Sequence, residues 1–134
     1  MTVEGTDSVF LDEAGATLDR GVLVALQQVE KSGQPGLLMR VVTLFLHETP
    51  ARLAELQEAI VQGDAERVEE VAHGLKGSAA QLGATRMAGL SAGLQAAGAH
   101  RDLGGAAAQV ADLQREFVLV RAALEAIVST ARTA

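Results

Sequence analysis

The chain has no cysteine, tyrosine or tryptophan, and its 134 residues include only three phenylalanines and two prolines. Without cysteine there is no disulfide framework, no cysteine zinc ligand and no thiol nucleophile, which is consistent with a reducing compartment. Three aromatic rings are too few for a surface that stacks nucleic-acid bases. Basic residues are also in short supply, with 11 Lys and Arg against 17 Asp and Glu and a net charge of −6. We therefore expect no nucleic-acid partner.

Long apolar runs are missing as well. No stretch approaches the roughly 18 to 20 consecutive apolar residues that span a bilayer. The chain begins MTVEGTD, which lacks the basic and then apolar order of a signal peptide. We expect a cytoplasmic protein with no direct membrane contact. Apolar residues nevertheless make up 49% of the chain, enough for one domain with a single core.

What the sequence has in quantity is apolar spacing of three and four residues, which is typical of amphipathic helices. This spacing predicts helices at about residues 18–31, 37–48, 49–62, 65–82, 85–97 and 106–129. No strand pattern competes with them. The fold class is therefore all-α, an antiparallel four-helix bundle with one or two additional N-terminal helices. We assign residues 1–17 to an N-terminal extension or linker and residues 18–130 to the bundle domain.

Two local patterns leave alternatives open. Thr49 and Pro50 predict an N-cap followed by proline at the first helical position, which would start a new helix. The alternative is one long helix kinked at Pro50. Gly89 and Gly93, one turn apart, indicate a close contact between two helices, unless small residues merely fill an alanine-rich chain.

His73 stands off the apolar stripe of its helix. At about 100° per residue the six stripe positions lie within roughly 60° of the stripe centre, whereas His73 lies at about 140° from the first of them. This predicts an imidazole that faces water and not the core. The stripe consists of Val68, Val71, Ala72, Leu75, Ala79 and Leu82.

The neighbours of His73 indicate an anion on the imidazole. Lys76 and Gly77 lie one turn along the same surface. Lysine offers a positive point charge suited to phosphate, and glycine leaves room for another protein at a cost on the order of 1 kcal/mol relative to alanine. On the next helix, Gln95 lies off its own stripe by about the same angle. His47 and His100 lack such surroundings, and no histidine pair has the spacing of a metal site.

Residues 72–78 read AHGLKGS and residues 82–84 read LGA. These strings resemble the core motif of the histidine-containing phosphotransfer (HPt) domain, A-H-x-L-K-G-S/A followed by L-G. That family then has a helix with Leu followed by Glu or Gln, which matches Leu94 and Gln95. The resemblance covers roughly residues 18 to 128.

The resemblance implies that His73 takes a phosphoryl group from a phospho-aspartate of a receiver domain and passes it to another receiver or back. Lys76 and Gly77 match motif positions, and Gln95 is implied to hydrogen-bond the histidine. Many members have glutamate at the position of Gln95. Glutamine keeps the hydrogen bond but weakens the electrostatic effect on the imidazole. Ala80, Leu82 and Met87 are candidates for an apolar docking patch around the histidine.

The resemblance further implies a phosphocarrier and not an enzyme with its own nucleotide site. The chain itself would need no cofactor, because the partner receiver supplies Mg²⁺ and the acceptor aspartate. The expected partners are response-regulator receiver domains. A hybrid histidine kinase is a further candidate, of which the chain could be the C-terminal module. The alternative function is a helical docking or dimerisation module in which His73 is not phosphorylated.

Overall fold

The protein is seen in a computed structural model that describes residues 17–33 and 35–133, with side chains described up to residue 129. Of the predicted extension 1–17, residues 1–16 lie outside the described residues. The described part contains no strand, and the all-α prediction is confirmed. None of its helices combines the length and the apolar character that a bilayer span requires. The helices are α1 (Arg20–Lys31), α2 (Leu37–Gln62), α3 (Ala65–Gln81), α4 (Thr85–Ala99) and α5 (Ala106–Thr133).

Helices α2 to α5 form the four-helix bundle. Each packs against its neighbours in the chain, and α5 closes the ring by packing against α2. The short connections between consecutive helices make neighbours antiparallel. The added N-terminal helix α1 packs on α2. The histidine helix α3 therefore lies between α2 and α4, and these two helices flank its exposed face.

Local signals set the two ends of α3. Asp64 caps its first turn, with a side-chain oxygen accepting a hydrogen bond from the backbone N–H of Arg67 at 3.1 Å. Gly83 follows its C-terminus with a φ of 75°, a left-handed conformation that glycine adopts without steric cost. A Cβ at Gly83 would also lie 2.9 Å from the carbonyl oxygen of Asp19. Helix α3 ends at Gln81, one residue before the predicted end at residue 82.

The predicted break at Pro50 is wrong, and the alternative of one long helix is confirmed. Helix α2 is continuous from Leu37 to Gln62 with Pro50 inside it. Thr49 is buried, and its hydroxyl donates to the carbonyl oxygen of Phe45 at 2.6 Å instead of capping a new helix. Proline removes one backbone donor from the helix. The apolar residues on either side, Phe45 and Leu53, are both buried, so both halves of α2 pack into the core.

The core runs the length of the bundle and takes large side chains from every bundle helix. Two of the three phenylalanines, Phe45 of α2 and Phe117 of α5, meet with ring centroids 5.9 Å apart and planes tilted by 57°, a favoured aromatic geometry. Fully buried leucines fill the remaining layers between the helices. Those within the bundle helices are Leu56, Leu75, Leu94, Leu113 and Leu124.

Among the glycines of α4, Gly98 lies closest to the backbone of α3. A Cβ there would lie 2.6 Å from the carbonyl oxygen of Ala65 and 2.7 Å from the backbone nitrogen of Glu69. A Cβ at Gly89 would meet nothing within 4 Å, and one at Gly93 would meet only a side chain, at 3.3 Å. The prediction of a close helix contact at Gly89 and Gly93 is therefore wrong in position. Gly98 lies just beyond the predicted end of this helix at residue 97, but it belongs to α4 and faces α3.

A buried carboxyl group lies where the N-terminal segment meets the bundle. The side chain of Glu116 on α5 is 4% exposed and lies 3.7 Å from the guanidinium of Arg86. Burial raises the pKa of Glu116 above its ordinary value, while the Arg86 charge and a hydrogen bond with the Thr17 side chain act in the opposite direction. This pairing links α5 to the start of α4 and to the segment before α1.

Candidate functional site

His73 lies on the solvent face of α3, as its angle on the helix predicts. It is exposed, while the six stripe residues of the same helix are buried. The core therefore fixes the rotation of α3 about its axis, and this rotation points the imidazole outward. No side chain of the core has to give way for a group to reach the ring.

Gln95 of α4 holds one nitrogen of the imidazole. Its amide nitrogen Nε2 lies 3.1 Å from Nδ1 of His73, and Gln95 is half-buried. Leu94, the residue before it, is fully buried and anchors this turn of α4 in the core. The structure thus brings together the two residues that the sequence placed on separate helices.

Lys76 and Gly77 lie exposed one turn after His73. A Cβ at Gly77 would meet nothing within 4 Å, so the surface beside the ring is open. Within the described part of the chain, Lys76 takes part in none of the ion pairs. A solvated ammonium group beside an open surface can accept an incoming anion.

Sequence reasoning missed Arg52. This residue of α2 reaches across to α3, where its Nη1 lies 2.8 Å from the position that a Cβ at Gly74 would occupy. Its guanidinium also pairs with Glu48 at 3.8 Å. The available signal was Gly74 itself, the unspecified position of the motif, where glycine leaves space for a neighbour.

The predicted apolar docking patch is mostly wrong. Ala80 is exposed, but Leu82 and Met87 are fully buried. Leu82 continues the apolar stripe three residues after Ala79, which directs it to the core. The exposed face before His73 is acidic instead, since Glu70 is exposed and Glu69 half-buried one turn back.

The other two histidines are exposed and lie apart from this site. His47 is on α2, and Nδ1 of His100 hydrogen-bonds the carbonyl oxygen of Ala96 at 2.8 Å. The described residues contain no group of three or more His, Asp or Glu that could hold a metal ion.

Comparison with known proteins places the chain in a family. Residues 40–130 match the family model of the Hpt domain. Histidine-containing phosphotransfer protein B from Pseudomonas aeruginosa PAO1 is 30% identical over 81% of this chain and 91% of that chain, with a TM-score of 0.74. No curated protein sequence matches the chain.

Two plant histidine-containing phosphotransfer proteins share the fold. ZmHP2 from maize is 23% identical and covers 97% of both chains with a TM-score of 0.83. MtHPt2 from Medicago truncatula is 22% identical and covers 91% of both chains with a TM-score of 0.73. The family match extends over most of the helical bundle, including the His73 helix. The chain therefore belongs to the Hpt domain family, and its role is that of a phosphorelay carrier and not of a catalytic enzyme.

Proposed function

We propose that His73 carries the phosphoryl group, which it receives from a phospho-aspartate of one receiver domain and passes to another receiver or back. The observation that supports this most is the exposed imidazole whose Nδ1 lies 3.1 Å from the Gln95 amide. With Nδ1 occupied by this contact, Nε2 is the ring nitrogen that is open to a partner, and its lone pair is free only when an acceptor faces Nδ1. Lys76 and the open surface at Gly77 lie one turn after His73 on the same exposed face of α3.

The tautomer of the imidazole decides whether Nε2 can react. A half-turn of the Gln95 amide presents its oxygen to Nδ1 in place of its nitrogen, and the two orientations are equivalent in shape. With the oxygen facing it, Nδ1 keeps its proton and Nε2 has a free lone pair. Gln95 is therefore proposed to select the nucleophilic tautomer of His73.

In the transfer step, the Nε2 lone pair attacks phosphorus in line with the bond to the aspartate oxygen. The phosphorus–nitrogen bond forms as the phosphorus–oxygen bond breaks, and the aspartate leaves as a carboxylate. Negative charge is spread over the three equatorial oxygens in the transition state. Lys76 is proposed to offset part of that charge, and the missing side chain at Gly77 lets the receiver approach closely.

We assign the Mg²⁺ and the acceptor aspartate to the receiver domain, and the proposal gives this chain no nucleotide site and no cofactor of its own. Mg²⁺ is bound through one or two carboxylates and phosphate oxygens, whereas the residues flanking the His73 ring are Lys76 and Gln95. The proposal includes a hybrid histidine kinase as a candidate partner, a cytoplasmic location and no direct membrane contact. The absence of cysteine is in keeping with that location.

The test is transfer of labelled phosphate from a phosphorylated receiver to the chain. Wild type, His73→Gln and His47→Gln are compared, the last as a matched control because His47 is an exposed histidine on another helix. We expect an acid-labile, alkali-stable label on wild type and on His47→Gln, and none on His73→Gln. Label on His73→Gln would disprove the assignment. A folded wild type that several receivers fail to label would favour the docking module.

A further inference from the structure

Helix α2 contributes a guanidinium group to the surroundings of His73. Nη1 of Arg52 lies 2.8 Å from where a Cβ at Gly74 would stand, and Gly74 directly follows His73. Adding one Cα–Cβ bond and one Cα–Cα step places this nitrogen within about 8 Å of the His73 Cα. The Arg52 side chain is 38% exposed, so its end can move through solvent.

The surface between the imidazole and Arg52 has no side chain at its two nearest positions. At about 100° per residue, Gly77 lies some 40° and Gly74 about 100° around α3 from His73, both in the same direction. A Cβ at Gly77 would meet nothing within 4 Å, and the space over Gly74 is filled by the guanidinium. The part of α3 between His73 and the guanidinium therefore has exposed helix backbone at Gly77 and Gly74 and no side chain at either position.

The charges within one turn of His73 on α3 do not balance a phosphoryl group. Glu69 and Glu70 lie one turn before it and Lys76 lies one turn after it. A phosphoryl group adds roughly 1.5 to 2 further negative charges near pH 7. A second cation on this face is electrostatically favoured, and α2 provides one.

The existing partner of Arg52 holds it weakly. Its contact with Glu48 measures 3.8 Å, and the two side chains are 38% and 47% exposed, so the attraction is largely screened by water. A phosphoryl group offers the guanidinium fork two oxygens at once, which is a stronger and better matched acceptor. Phosphorylation of His73 would therefore draw Arg52 away from Glu48.

We propose that Arg52 is a second phosphoryl-binding cation at this site, reaching the group on His73 from α2 across the side-chain-free strip of Gly74 and Gly77. The inference rests on the proposed function, since it requires a phosphoryl group on His73. It adds a residue from another helix to the site. It also explains why position 74 is glycine, because any larger residue there would displace the guanidinium.

The experiment uses phosphoramidate, a small donor that needs no receiver. The Nε2 lone pair attacks its phosphorus, the donor's phosphorus–nitrogen bond breaks, and ammonia leaves with a proton from water. Arg52→Gln and Arg52→Lys are compared with wild type. Arg67→Gln is the matched control, because Arg67 on α3 also bridges to α2, through Glu55 at 3.1 Å, but lies almost two turns from His73. Melting curves confirm that each variant folds.

We expect Arg52→Gln to slow phosphorylation by roughly three- to tenfold, the effect of removing a unit charge about 5 Å from a phosphoryl anion in water at physiological salt. Arg52→Lys should restore part of the rate, and Arg67→Gln should match wild type. Phosphorus NMR should show that the pKa of the bound phosphoryl group rises in Arg52→Gln, a change that a merely structural role would not cause.

Equal rates and equal phosphoryl titrations for Arg52→Gln and Arg67→Gln would overturn the inference. A loss seen only in transfer from a receiver would overturn it too, because it would place Arg52 in receiver docking. Failure of phosphoramidate and of every receiver to label folded wild type would remove the proposed function itself. Failure of the Arg52 inference alone would look different, because wild type would be labelled and Arg52→Gln would be labelled at the same rate.

Discussion

Replacing Gly98 with alanine is expected to force α4 away from α3. The backbone of Gly98 is inside the helix α4, so alanine by itself gains about 1 kcal/mol of helix stability. The added methyl group would lie 2.6 Å from the Ala65 carbonyl oxygen, whereas ordinary contact begins at 3.4 Å, so α4 must retreat by roughly 0.8 Å. The obstructing atoms belong to the backbone of α3 and cannot rotate aside.

Gly89→Ala is the matched control for Gly98→Ala. It makes the same chemical change in the same helix, at a position where a Cβ would meet nothing within 4 Å. Both variants gain the same helix propensity, so the difference between them isolates the overpacking cost, which is about 1–3 kcal/mol. Urea denaturation followed by far-UV circular dichroism should show Gly98→Ala less stable than Gly89→Ala by that amount, with unchanged slopes.

The same displacement of α4 is expected to change the contact between Gln95 and His73. Gly98 lies one turn after Gln95, so a retreating α4 carries the amide away from the Nδ1 of His73 and beyond hydrogen-bond distance. Nitrogen NMR of the imidazole should show a changed tautomer balance in Gly98→Ala and an unchanged one in Gly89→Ala. Equal unfolding free energies for the two variants, within about 0.5 kcal/mol, would refute the reasoning about helix contact.

Two other changes test the bundle itself. Glu116→Gln is expected to be more stable than wild type near neutral pH, because burial raises the pKa of the folded carboxyl above its ordinary value. Between the ordinary pKa of glutamate and the raised pKa of the folded carboxyl, the folded state binds more protons than the unfolded state. Wild-type stability therefore falls as pH rises through this range, and below it the stabilities of the two proteins converge. A wild type more stable than Glu116→Gln at neutral pH would contradict this. Pro50→Ala should raise the free energy of unfolding by about 1–3 kcal/mol, because alanine restores a backbone donor and removes a ring clash inside α2. Denaturation of Pro50→Ala checks this, and a loss of stability would show that Pro50 is packed favourably.

The sequence predicted both ends of α3 to within one residue, because the signals there are local. Asp64 caps α3 and Gly83 follows it, since a capping side chain and a left-handed glycine act within one turn. Thr49 and Pro50 form an equally strong local signal, but the new helix that they predict does not start there. The cost of proline inside a helix is a few kcal/mol, and burial of Phe45 and Leu53 on either side outweighs it. Such burial depends on residues far away in the chain.

The docking patch and the glycine contact failed for different reasons: Leu82 belongs to the apolar stripe, so the pattern of its own helix already directs it to the core, whereas the glycine contact depends on how two helices pack. Leu82 and Met87 are apolar residues close to the histidine in sequence, but both are fully buried. Gly89, Gly93 and Gly98 are equivalent as residue types, and only the packing of α4 on α3 distinguishes them. Which side of a helix meets a neighbour closely is set by the crossing of two helices, and one helix's pattern does not contain that information.

The sequence by itself determined the part of the site that lies on one helix. His73, Lys76 and Gly77 share the exposed face of α3 because helical geometry and an apolar stripe fix their directions. Only the tertiary structure decided what reaches that face from elsewhere. It placed the amide of Gln95 3.1 Å from the imidazole and brought the guanidinium of Arg52 over Gly74. Both contacts depend on how α2 and α4 pack against α3, which is settled by the shared core of the whole bundle.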